Sequence, residues 1–384
     1  MKRLAVCLTL VALSALACNF GARPTEVPVP PTAVVLQPPS PTASPAPAEA
    51  TAIALPSTRA DTPMPPTETP LPPAIETPVV PSPVPADRAA PLNPDPPAAP
   101  VKLIFIHHSS GENWLADDNG GLGLALMQNR YFVSDTNYDW GPTDPDLGEP
   151  IGSHTDTGNW WNWFLGPNRG RVLAALFTES QPHAAYSRLD QDPGGENQIV
   201  MFKSCFPNSA LGGNRDDPPV AGSNPLYGQD ASSDAHTVAN AKGIYRDLLK
   251  YFATQPDRLF VAITAPPLFE SDTSPEQAAN ARAFNRWLVQ DWLTGYTGHN
   301  VAVFDFYDVL TSNGGDIDLN DLGAAAGNHH RYRDGVIEYV TDQGLNTSAY
   351  AVAGDSHATP AGNQKATGEF VPLLNIFYHL WRGK

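Results

Sequence analysis

Five short runs of nearly unbroken apolar residues constrain this chain more than any other feature: KLIFI (102–106), YFVSD (131–135), QIVMFK (198–203), RLFVAIT (258–264) and NVAVFDF (300–306). A strand with one wet face alternates apolar and polar side chains, whereas a strand covered on both faces has no need to. Helical patterns lie between and after the runs. VANAKGIYRDLLKYFA precedes the fourth run and SPEQAANARAFNRWLVQDWLTG the fifth. The second of these has Ser274 as N-cap, Pro275 at the first helical position and Gly295 as a stop, with Ala281, Phe284, Leu288 and Trp292 on one face. A last helix after TPAGN would bury Phe370, Leu373, Leu374, Phe377 and Trp381. Strands alternating with helices predict an α/β fold, a three-layer α/β/α sandwich around a central, mostly parallel sheet. In such sheets ligands sit beyond the carboxyl ends of the strands.

This pattern occupies residues 101–384 only. Residues 19–100 hold 25 of the 41 prolines, mixed with Thr, Ala, Val and Ser. Proline removes backbone donors and fixes φ, so the tract reads as an extended spacer. Residues 1–18 read as a secretory signal: Lys2 and Arg3, an apolar stretch over 4–16, then Ala17 and Cys18. LSALAC is similar to a bacterial lipobox, with Ala15 where leucine is usual, which makes Cys18 the candidate lipid anchor. The alternative is an ordinary signal cut nearby, and in both cases the expected location is extracytoplasmic. No later segment is long and apolar enough to span a bilayer, so membrane contact is expected only through that anchor.

Residues 101–384 carry 33 acidic and 18 basic residues, a net of −15, which argues against nucleic acid as a partner. Cys205 is the one cysteine after residue 100, so neither an internal disulfide nor a thiolate zinc site can form there. It reads as a packed thiol. No metal or organic cofactor is expected. His107 and His108 are adjacent, and side chains alternate along a strand, so both cannot easily face one ion. DIDLND (316–321) starts like a calcium loop but has Asp321 where the turn glycine belongs and Gly327 where a bidentate glutamate belongs. GNHHRYRDG (327–335) reads as an exposed loop.

The polar clusters collect where a site belongs. HHSSG follows the first run, NYDWG the second, SCFPNS the third and APPL the fourth, while GDSHATPAGN precedes the last helix. A serine hydroxyl becomes a nucleophile when a histidine can take its proton, and the resulting oxyanion needs waiting donors. Ser109 stands at the end of the first strand, with Gly111 allowing a sharp bend and Ser110 as the rival nucleophile. His357 is the candidate base and Asp355 the carboxylate that would orient it. Donors could come from the amides of Ser109 and Gly141 and the side chain of Asn208. The alternative for Ser109 is a serine that caps a turn. His107 and His108 would support the site or simply be satisfied at the strand end.

In this order and placement the clusters resemble the SGNH (GDSL-type) hydrolases, which are flavodoxin-like α/β/α sandwiches. IFIHHSS puts Ser109 at the family's nucleophile position, with His107 and His108 where Gly and Asp usually stand. NYDWG supplies Gly141 for the second block, FKSCFPNS supplies Asn208 for the third, and GDSHATPAGN supplies His357 for the last. The stretches ARAFNRWL and NVAVFDFYDVL also resemble the helix and strand before that block. Three departures stand out. The first block lacks Gly-Asp, Asp355 lies two rather than three residues before His357, and Ala358 replaces a frequent proline. A dyad without Asp355 is the alternative to a triad.

The resemblance implies ester hydrolysis through an acyl-serine. Trp114, Trp140, Trp160, Trp161 and Trp163 fall early in the domain, and aromatic faces near a hydrolytic site would suit a sugar ring or an acyl chain. Trp114, so near Ser109, is the candidate substrate contact. The expected substrate is a carboxylic ester, with O-acyl groups on extracellular carbohydrate as one class. The alternatives are a glycan-binding surface lipoprotein without catalysis and an acyltransferase of the same fold.

Overall fold

The computed structural model describes residues 80–81, 91–312, 321, 325–341 and 345–383. The signal, Cys18 and the spacer up to residue 79 lie outside the described residues, as does 316–320 of the DIDLND stretch.

Strand β1 (Val80–Pro81) is followed by β2 (Val101–Ile106), β3 (Tyr131–Thr136), β4 (Ile199–Lys203), β5 (Leu259–Ile263), β6 (Val301–Phe304), β7 (His329–Arg333) and β8 (Val336–Val340). The five apolar runs form one sheet in the order β3-β2-β4-β5-β6, parallel at every step. Every residue of these five strands is buried, as expected of strands covered on both faces. The helices are α1 (Ser109–Leu115), α2 (Leu122–Gln128), α3 (Trp160–Phe164), α4 (Arg169–Thr178), α5 (Val238–Phe252), α6 (Pro275–Gln290), α7 (Phe306–Leu310) and α8 (Pro360–Arg382). Two apolar clusters separate the layers. Ile104, Ile106, Val200 and Phe202 face α3 to α6, whereas Leu103, Phe105, Met201 and Val261 face α1, α2 and α8. This is a three-layer α/β/α sandwich.

Helix α6 begins at Ser274, whose Oγ accepts the Gln277 amide while the Gln277 side chain accepts the Ser274 amide. It ends at Gln290, short of Gly295, because the Asp291 and Trp292 amides both turn back to the Trp287 carbonyl. Gly295 instead serves the following turn, at φ +78. Helix α8 starts after Thr359, but no side-chain cap bond forms there; the Thr359 amide is taken by the Tyr350 carbonyl at 2.6 Å.

Two expectations are corrected. GNHHRYRDG is no exposed loop: His329–Arg333 is β7, paired antiparallel with β8, and β1 adds to the outer edge of β8. His329 and His330 are both buried beneath α8, which the local sequence hides because its polar residues mimic a loop. The last ten residues of the proline-rich tract are also part of the domain. Asn375 donates to the Pro94 carbonyl at 2.8 Å, His379 to Asp95 at 2.9 Å, and Arg130 to Pro97 and Ala98. Prolines cannot donate, but their carbonyls accept, and Leu92 packs on the core beside them.

Candidate active site

The β2 strand stops at Ile106, and the chain enters α1 through His107 and His108. His107 is fully buried, with Nε2 3.1 Å from the Asp135 carboxylate on the neighbouring strand and Nδ1 2.9 Å from the His108 carbonyl. Asp135 also accepts the His183 amide and the Tyr186 hydroxyl, each at 2.7 Å. Burial alone would raise the Asp135 carboxyl, but the hydrogen bonds and charge of His107, with the other two donors, bring it below its ordinary value. His108 is the N-cap of α1, and its Nε2–H donates to the Gly152 carbonyl at 2.6 Å while the ring stacks on Tyr138. Burial drives this imidazole down to about 4, so it stands neutral at pH 7.

Gly111 makes the turn possible. A Cβ there would sit 2.3 Å from the His107 Cβ, so any other residue would push α1 off the strand end. The His108 carbonyl then accepts the amides of Gly111 and Glu112. The amides of Ser109 and Ser110 come before these, at the start of the helix, where no intrahelical carbonyl lies behind them.

His357 arrives from a separate turn. The Asp355 amide returns to the Val352 carbonyl, with Gly354 between them at φ +85, a conformation glycine adopts without cost. Asp355 Oδ1 then accepts both the His357 amide, at 2.9 Å, and the His357 Nδ1–H, at 2.6 Å. The shortened Asp-x-His spacing works because the carboxylate wraps its own turn. Next to it, Ser356 locks the loop by donating to Asp272 and accepting the Phe269 amide. His357 Nε2 lies 2.8 Å from Ser109 Oγ, and the Phe206 ring meets the imidazole edge to face at 4.9 Å.

Ser109, His357 and Asp355 therefore come together in relay order, 248 residues apart in sequence between serine and histidine. Asp355 is 51 % exposed, so water screens the far side of the relay. Ser110 is not in the relay. Its Oγ is 3.1 Å from Cys205 Sγ, which also lies 3.8 Å from Ser109 Oγ. Cys205 is buried, as read, but its neighbours are the two serines, which nothing in its sequence context signals.

The other candidates fare differently. Both Nδ2 hydrogens of Asn208 are committed, to Asp156 at 2.6 Å and to the Cys205 carbonyl at 3.2 Å, and its Oδ1 takes the Thr157 amide. Buried Asp156 needs those donors, and burial raises its pKa. Gly141, at φ +84, lines an open pocket of about 720 Å³ with Tyr138, Trp140, Arg171 and Glu179, and neither Ser109 nor His357 lines it. The expectation for Trp114 is overturned: it is fully buried, stacked on Phe306 at 4.6 Å and on Phe304, with its Nε1–H on Thr367. A helical side chain this close to the strand end points into the core between α1 and α8. Trp140, Trp160 and Trp163 are core residues too, and Trp161 stacks on Tyr227. Phe206 is the aromatic residue at the relay, and only its following the third strand could have signalled it.

Among the described residues no cluster of three or more His, Cys, Asp or Glu side chains could hold a metal, and no helix is long and apolar enough to cross a membrane. No protein-family model and no curated protein sequence matches this chain. One crystal structure aligns with 71 % of this chain and 94 % of its own at 14 % identity, with a TM-score of 0.29. A likeness that distant bears on neither fold nor function. The site stands on its own geometry.

Proposed function

We propose that this protein is an SGNH-type serine hydrolase that cleaves carboxylic esters outside the cytoplasm, tethered at Cys18. The observation that carries this reading is the pair of contacts at 2.8 and 2.6 Å linking Ser109 through His357 to Asp355. Ser109 Oγ attacks the ester carbonyl as its proton passes to His357 Nε2, and the imidazolium is held by Asp355 through Nδ1–H. The tetrahedral oxyanion faces the amides of Ser109 and Ser110 at the start of α1. Asn208 would join them only by releasing the Cys205 carbonyl, the longer of its two bonds. His357 returns the proton to the departing alcohol, leaving an acyl-serine. Water then repeats the sequence and releases the acid. With Trp114, Trp140, Trp160 and Trp163 in the core, Phe206 is the ring that would meet the substrate beside His357.

The test is labelling of the full chain with a fluorophosphonate, followed by peptide mass mapping. An adduct on Ser109 that disappears in His357→Ala is expected. An adduct on Ser110, or none from a folded chain, would overturn the assignment, and the second result would favour glycan binding without catalysis. Turnover of p-nitrophenyl acetate should fall roughly 10⁴-fold or more in Ser109→Ala. Asp355→Ala should lose about tenfold to a hundredfold, less than a buried triad carboxylate, because water already shares its task.

A further inference from the structure

At the outer edge of the sheet, three strands away from β2, a second cavity of about 540 Å³ opens between β6, the end of α6, β8 and the last turns of α8. Its wall is mostly apolar, including Leu293, Val301, Val303, Ile337 and Phe377. Ser109 and His357 do not line it.

His330 does, and it is only 2 % exposed. Its Nδ1 accepts the Asp305 amide at 3.0 Å, and its ring stacks on Phe304. An imidazole that accepts at Nδ1 carries its one proton at Nε2, and this Nε2–H has no hydrogen-bond partner among the described residues. Burial holds the ring down to about 3, so it stays neutral and the donor persists across the physiological range. An acceptor brought into the cavity would meet this donor, and the mostly apolar wall would take the chain that carries it.

We propose that this cavity binds a neutral amphiphile, an apolar chain whose terminal carbonyl or ether oxygen accepts the His330 Nε2–H. A carboxylate is disfavoured. The ring offers no positive charge, and behind it stands the Asp305 carboxyl, bonded to Thr264, Tyr339 and the Asp308 amide. Binding here is independent of hydrolysis at Ser109.

Calorimetric titration of the full chain with dodecan-2-one and with dodecanoate tests this. One ketone per chain is expected, with dodecanoate at least about tenfold weaker. His330→Phe should weaken the ketone about fivefold. That variant also takes the acceptor from the Asp305 amide and could misfold, so Leu293→Trp, at a half-buried position on the wall, provides the second arm. Its fold is checked by thermal melting, and it should abolish ketone binding. The proposal is overturned by no saturable ketone binding, by binding that Leu293→Trp leaves intact, or by dodecanoate binding as tightly as the ketone.

Discussion

The chain contains the dipeptide His-His twice, at 107–108 and at 329–330, and all four rings are buried. The first histidine of each pair faces two oxygen acceptors, one carboxylate and one carbonyl. For His107 these are Asp135 and His108; for His329 they are Glu369 and Ala326. The second histidine of each pair makes one backbone bond and is kept neutral by burial. There the likeness ends. His108 donates to the Gly152 carbonyl through Nε2–H, whereas His330, with its proton on the same nitrogen, accepts the Asp305 amide at Nδ1. One pair anchors the entry to α1, and the other closes the sheet edge under α8. Identical residues acquire opposite hydrogen-bonding roles from the backbone group that each happens to meet.

The largest effect that would sharpen this contrast is expected from Asp135→Ala. Three donors would lose a buried acceptor, which should cost roughly 3–5 kcal/mol in urea unfolding. Turnover of p-nitrophenyl acetate per folded molecule should also fall, since His107 underlies Gly111 and the start of α1. Glu369→Ala removes the carboxylate of the other pair and should cost about 2–3 kcal/mol. Its turnover per folded molecule should stay within about twofold of wild type, as a far-off contact moves no reacting atom. Equal losses of turnover in both variants would erase the functional difference between the pairs.

Per unit of pH, the smallest effect lies in the pH dependence. The unfolded chain protonates His108 near the ordinary imidazole value of 6.5, but the folded chain resists until about 4. Over that window the unfolded state binds the extra proton, so this residue withdraws stability as pH falls, by up to about 1.4 kcal/mol per pH unit. The stability advantage of wild type over His108→Gln should therefore shrink between pH 6.5 and 4. The same comparison for His330 should continue to shrink to about pH 3, where that ring finally protonates. Parallel, pH-independent offsets in urea unfolding would show that neither ring is held neutral.

Much of this molecule was legible along the chain. The five apolar runs became the five parallel strands to within a residue or two at each end, because burial on both faces leaves short, nearly unbroken apolar runs of strand length. Ser109 and His357 were legible as candidates because reactive residues stood at a strand end and before a helix. Asp355 was less so, as its spacing to His357 departs from the usual pattern. Trp114 was misread because nearness in sequence to Ser109 says nothing of which face of α1 a side chain occupies.

Local pattern, repeated along the chain, settled the layers, the sheet and the edge on which a site belongs. Tertiary structure alone decided the rest: the turn at Gly354 that brings Asp355 onto His357, the Asp156 carboxyl that claims Asn208, and the burial of His329 and His330. The physical reason is range. Strand and helix formation answer to residues a few positions away, whereas a hydrogen bond 2.8 Å long can join positions 109 and 357, and only the packed sheet chooses between one acceptor and another.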